Sequence, residues 1–150
     1  MKIKVKVLAG FSLGILSLAA FAGTATFSLQ NDNKSLQDPL VITAGSITYQ
    51  TTTGCSGQVP YNLAGTDLDK TKQTPILIDT SIVPTGCWKS NTTAVFQLIL
   101  DSVDNKKSLS PSCTSLLTVH SADENATQQN PLYVYEMGAP NDGFVCSLAP

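Results

Sequence analysis

Five groups of residues have types and spacings that could do chemistry. Asp67 and Asp69, two positions apart and followed by Thr71, are the paired carboxylates that covalent and acid–base catalysis use. His120 is the only imidazole in the chain, and imidazole is the conventional proton shuttle near neutral pH. Asp101 with Asp104 and Asn105 offers the hard oxygens that calcium takes. Cys55, Cys87, Cys113 and Cys146 can pair as disulfides or hold zinc. Trp88, Tyr133 and Tyr135 are aromatics of the kind that anchor a protein or glycan partner.

The surroundings of each group decide between these chemistries and plainer roles. Asp67-Leu68-Asp69-Lys70-Thr71 has the D-x-D-x-T form found in haloacid-dehalogenase-type phosphatases, where it must end a buried strand of an α/β sheet. Here Tyr61 to Thr66 is turn-like and no α/β alternation follows, so the segment reads as a charged loop. Asp101 to Asn105 lacks the alternate ligands and glycine of an EF-hand loop and reads as a strand running into a turn. No G-x-S-x-G surrounds any serine, and His120 lies in a run with strand character, so no catalytic residue is assigned. Asn91-Thr92-Thr93 and Asn125-Ala126-Thr127 fit the glycosylation sequon but are expected to be unmodified, because the amino-terminal segment has a bacterial form.

The cysteines fall 32, 26 and 33 residues apart, without the close pairs that zinc prefers. An even count in an exported chain points to two disulfides and no metal. The favoured pairs are Cys55–Cys87 and Cys113–Cys146, each closing a moderate loop within one half of the chain. Thr53-Gly54-Cys55 and Thr85-Gly86-Cys87 repeat one turn motif, in keeping with the first pair.

Export is expected from the first 22 residues. Lys2, Lys4 and Lys6 precede an uncharged stretch from Val7 to Ala22, which ends in the small-x-small pattern Ala20-Phe21-Ala22. A positive start, a short apolar stretch and a small-residue exit are the parts of a cleaved secretory signal. The stretch is shorter than the ~20 apolar residues that span a bilayer. Cleavage is expected after Ala22, with Ala25 as the alternative. No cysteine follows either position, so no lipid anchor forms there, and no stable membrane insertion is expected.

Residues 23–150 then form one disulfide-bonded β domain. Of the nine lysines, three lie before residue 7, and there is no arginine; six lysines against eleven acids leave the mature chain at −5. That charge disfavours nucleic acid, whose recognition rests on basic patches. Short runs rich in β-branched and aromatic residues lie between the prolines. Strands are expected near Ala25–Leu29, Leu40–Thr52, Ile76–Val83, Thr92–Val103, Ser115–Ser121, Leu132–Met137 and Phe144–Leu148. The second is expected to bend at Ala44-Gly45. In the fourth, Ala94, Phe96, Leu98 and Leu100 share one face, the expected core face, while Val95, Gln97, Ile99 and Asp101 form a mixed, partly covered one. Asn31–Gln37 and Ala122–Asn130 read as exposed loops.

About seven short strands separated by turns imply an all-β fold, a two-sheet antiparallel β-sandwich of Ig-like architecture, with a small closed β-barrel as the alternative. The functional expectation is an exported, non-enzymatic binding or interaction protein of the periplasm or extracellular space. It needs no cofactor, and a Gram-negative cell would release it folded, for example by a type II route. The partner is an unspecified protein or glycan, with Trp88, Tyr133 and Tyr135 as candidate contacts. One alternative is a pilin-like subunit of a surface fibre, with residues 23–37 as a donated arm. The other is a small secreted hydrolase or hydrolase inhibitor, using His120 in the enzymatic case.

Overall fold

Alternation of apolar and polar residues with a period of two sets the principal strands, because successive side chains of an extended chain point to opposite faces. The computed structural model describes residues 23–32, 40–103, 107–108, 113–123, 125–136 and 144–148; residues 1–22 and the expected Gly138–Gly143 connection fall outside them. Among the described residues eleven strands run in chain order: β1 (Thr24–Asn31), β2 (Leu40–Thr51), β3 (Ser56–Gln58), β4 (Asp67–Leu68), β5 (Thr74–Asp79), β6 (Thr93–Val103), β7 (Lys107–Ser108), β8 (Thr114–His120), β9 (Asn125–Thr127), β10 (Leu132–Glu136) and β11 (Phe144–Leu148).

They form two sheets. The first has the order β11-β10-β1-β5, with β9 also on β1; the second has the order β3-β2-β6-β8, with β4 also on β2 and β7 on β6. The sheets are not closed into a barrel, and the architecture is a two-sheet sandwich. Pairing is mostly antiparallel, but β1 runs parallel to both β9 and β10. Ala25, Phe27 and Leu29 of the first sheet share the core with Ile47, Ala94, Phe96 and Leu98 of the second. Fully burying a Phe or Leu side chain contributes about 1.5–3 kcal/mol.

β2 changes its buried parity partway. Leu40 and Ile42 are buried before the bend, Ile47, Tyr49 and Thr51 after it. Register shifts at Ile42/Ala44 and Ala44/Gly45 absorb the change. Gly45 is needed there, because a Cβ would come within 2.8 Å of both the Ile99 carbonyl oxygen and Leu63 Cδ1. Gly57 serves a related purpose: the Tyr49 ring lies so close across the β2–β3 pair that a Cβ would sit 2.7 Å from its hydroxyl oxygen.

Several boundaries differ from the sequence expectations. Asp67–Leu68 is not loop but strand β4, drawn in by the complete burial of Leu68 and its pairing with Leu40. The strand expected over Ile76–Val83 ends at Asp79, whose carboxylate accepts the Ser81 N–H at 2.8 Å and starts a 3-10 turn over Thr80–Ile82. Ala122–Asn130 is not wholly exposed loop: β9 pairs with β1, and Gln128 is buried, its side-chain oxygen accepting the Ser28 N–H. Asn31 closes β1 and is buried rather than opening an exposed loop.

The bridges are Cys55–Cys87 and Cys113–Cys146, with sequence separations of 32 and 33. Cys113 immediately precedes β8 in the second sheet and Cys146 lies in β11 of the first, so this bridge ties the sheets together. The other joins the β2–β3 turn to the loop that leads from β5 into β6. β1 has hydrogen-bonded neighbours on both sides, so residues 24–31 are an interior strand and not a free arm for donation.

Candidate functional site

The outward face of the second sheet follows from the alternation that fills the core. With Ala94, Phe96 and Leu98 inward, Val95 and Gln97 of β6 must point outward. Register extends these positions into rows. Gln58, Thr48, Gln97 and Leu116 form one row across β3, β2, β6 and β8; Ser56, Gln50, Val95 and Thr118 form the next.

An open groove of about 640 Å³ lies on this face, lined by Thr48, Tyr49, Gln50, Ser56, Gly57, Val95, Gln97 and Leu116. Among the described residues its lining includes no carboxylate, amine, imidazole or thiol. Two amides, hydroxyls and two aliphatic side chains offer hydrogen bonds and apolar contact without charge. Leu116, 61 % exposed, is the most prominent apolar side chain of the lining. Such a surface can hold a neutral ligand, and it offers no carboxylate–imidazole constellation for acid–base catalysis.

A second, smaller concavity of about 430 Å³ includes Asp67, Asp69, Lys72, Gln73, Thr74 and Pro75. Asp69 Oδ1 accepts the Thr71 N–H at 2.6 Å and the Thr71 hydroxyl at 2.7 Å. These bonds, the hydroxyl's foremost, hold the Asp69 carboxyl below its ordinary range, with Lys72 adding to the effect. Within the D-x-D-x-T string, Asp67–Leu68 is strand and Asp69 to Thr71 is the turn that follows it, in which Thr71 satisfies the second carboxylate. His120 is exposed at the end of β8, its Nδ1 3.1 Å from the Thr93 hydroxyl.

The aromatic candidates are dispersed. Trp88 is 8 % exposed, lies in the core beside the bonded Cys87, and donates its indole N–H to the Thr80 carbonyl oxygen. A ring so enclosed presents little face to a partner. Tyr133 and Tyr135 are half-buried on the outward side of β10, between β1 and β11 in the first sheet, away from the groove. Gln30 and Ser147 flank Tyr133 in register.

The chain matches no family model, no curated protein and no solved structure. The groove residues had one visible signal in the sequence, the mixed outward face Val95-x-Gln97-x-Ile99. Which of its members meet Gln50 and Leu116 depends on pairing across residues far apart in the chain. Among the described residues no helix is long and apolar enough to cross a membrane.

Proposed function

We propose that this protein is an exported, non-enzymatic binding module of the periplasm or extracellular space, and that its groove holds a neutral, hydrogen-bonding ligand, a glycan or an uncharged protein segment. The observation that carries this reading is the charge-free lining of Thr48, Gln50, Ser56, Val95, Gln97 and Leu116 on a sheet braced by both disulfides. Amides and hydroxyls match neutral polar groups, and Val95 and Leu116 add apolar contact.

Two disulfides suit an oxidising compartment outside the cytoplasm. Removal of the Lys-rich leader after Ala22 agrees with the way β1 is held. Thr80 N–H donates to the Gly23 carbonyl oxygen at 2.9 Å, and the Gly23 N–H donates to Thr80 Oγ1 at 3.0 Å. Cleavage after Ala25 would delete this clamp together with Ala25, a fully buried residue paired with Ile78. The amino-terminal sequence of the exported protein is therefore expected to read Gly-Thr-Ala-Thr.

The binding test is a screen of the purified protein against neutral glycans and uncharged peptides, repeated with Gln50→Ala and Gln97→Ala. Losing one hydrogen bond worth about 0.5–1.5 kcal/mol weakens binding about twofold to tenfold per site. Captured ligands that bind both variants with unchanged affinity would place recognition elsewhere.

A further inference from the structure

The ladder between β6 and β8 determines which backbone groups β8 leaves free. Leu100 N–H donates to the Cys113 carbonyl oxygen at 3.0 Å, and Ser121 N–H donates to that of Thr92 at 2.8 Å. These bonds bracket a register running from Thr93 opposite His120 to Ile99 opposite Thr114. Hydrogen-bonded and non-hydrogen-bonded pairs alternate in an antiparallel ladder. Ser115, Leu117 and Val119 therefore bond to β6, while Thr114, Leu116 and Thr118 turn N–H and C=O outward and His120 turns its N–H outward, its carbonyl oxygen accepting the Asp123 N–H at 2.9 Å. Among the described residues no strand pairs with that side. Leu116, Thr118 and His120 are exposed there, and Thr114 is half-buried.

The other edges are shorter or blunted. β3 and β4 have three and two residues. β11 is held through Cys146 to Cys113. On β5, the bond from Thr80 N–H to Gly23 sets the phase, so Pro75, Leu77 and Asp79 face outward. Proline lacks an N–H and aspartate is charged, two devices that discourage edge pairing. The seven residues of β8 carry no proline, lysine or carboxylate.

We propose that the outer edge of β8 pairs antiparallel with β8 of a second copy of this chain, about a two-fold axis at Leu117. Leu117 lies midway between Leu116 and Thr118, and midway between Thr114 and His120. One axis thus matches the donors and acceptors of Leu116 with those of Thr118, and sets the His120 N–H against the Thr114 carbonyl oxygen. Two identical edges with no carboxylate or lysine meet without like-charge opposition, and a two-fold contact is self-complementary and closed. The junction covers Leu116, continues the second sheet across both copies and brings their two grooves to a common seam. It does not depend on what occupies the groove.

Light scattering on the purified, disulfide-intact protein at concentrations from about 1 to about 100 µM tests the pairing. The expected mass at the upper end is that of two chains. Thr118→Pro removes one outward donor without removing a bond to β6, and Leu116→Lys places a charge beside the axis. Each is expected to halve the mass with Trp88 emission unchanged, whereas Leu77→Lys, on the β5 edge, leaves it at two chains. A wild-type mass of one chain throughout, or of more than two, overturns the proposal. So does a two-chain mass that survives both β8 variants. Should Thr118→Pro alter the Trp88 emission, Leu116→Lys alone decides.

Discussion

Trp88 donates its indole N–H to the carbonyl oxygen of Thr80 at 3.3 Å, and Thr80 in turn clamps Gly23 at the head of β1. The loop that bears Cys87, the 3-10 turn and the first strand are thereby one packed unit. The bond also gives the buried indole its polar partner, which buried Trp side chains require.

The single tryptophan is expected to emit at a blue-shifted wavelength and to resist iodide quenching in the folded protein. Trp88→Ala should destabilise by about 3–5 kcal/mol, the range for large aromatics lost from a core. Strong quenching of the native protein by iodide would show the ring to be outside.

Leu98 and Leu116 make a paired test of the second sheet. They lie on adjacent strands, one register step apart, but Leu98 is fully buried and Leu116 is 61 % exposed. Leu98→Ala should cost about 2–5 kcal/mol in denaturant unfolding. Leu116→Ala, measured at a concentration where one chain is present, should stay within about 0.5 kcal/mol. Equal costs would contradict the assigned faces.

The two disulfides close loops of nearly equal length, with separations of 32 and 33 residues. Loop entropy alone then predicts nearly equal losses, about 3–4 kcal/mol for each bridge replaced by a serine pair. Intact mass with and without alkylation of the non-reduced protein should reveal no free thiol. A gap of several kcal/mol between the two variants would assign the difference to native contacts rather than to chain entropy.

Asp69 and Asp79 both titrate below the ordinary 3.8 in the folded protein, Asp69 through Thr71 and Asp79 through the side chain and then the backbone of Ser81. A carboxyl with a lowered folded value stabilises the fold above its unfolded value and loses that contribution as pH falls through the folded one. Stability should therefore decline as pH drops below about 4. Asp69→Asn and Asp79→Asn should each flatten the decline; an unchanged acid profile in both would remove these groups from the account.

Much of the fold was legible locally. The run Ala94 to Leu100 marked its own core face, Gly45 announced the bend in β2, and widely spaced cysteines in an uneven β pattern pointed to bridges rather than metal. The shortest strands were not legible, because β4 and β9 hold two and three residues and exist only by virtue of the partners they meet. The candidate site was half legible: Val95 and Gln97 were visible as a mixed face, but Thr48, Gln50 and Leu116 joined them only through register.

The division follows from range. Period-two alternation, turn-forming residues and the even cysteine count are properties of neighbouring positions or of composition, so the amino-acid sequence by itself determined an all-β chain with two bridges and most of its strand faces. Tertiary structure decided that β1 lies inside its sheet, parallel to β9 and β10, that Trp88 turns inward onto Thr80, and that β8 ends a sheet with its outer edge unpaired among the described residues. Each of these depends on which distant strand wins the competition for a hydrogen-bonding edge or an apolar face. That contest is settled by the summed contacts of the whole core, which no local window contains.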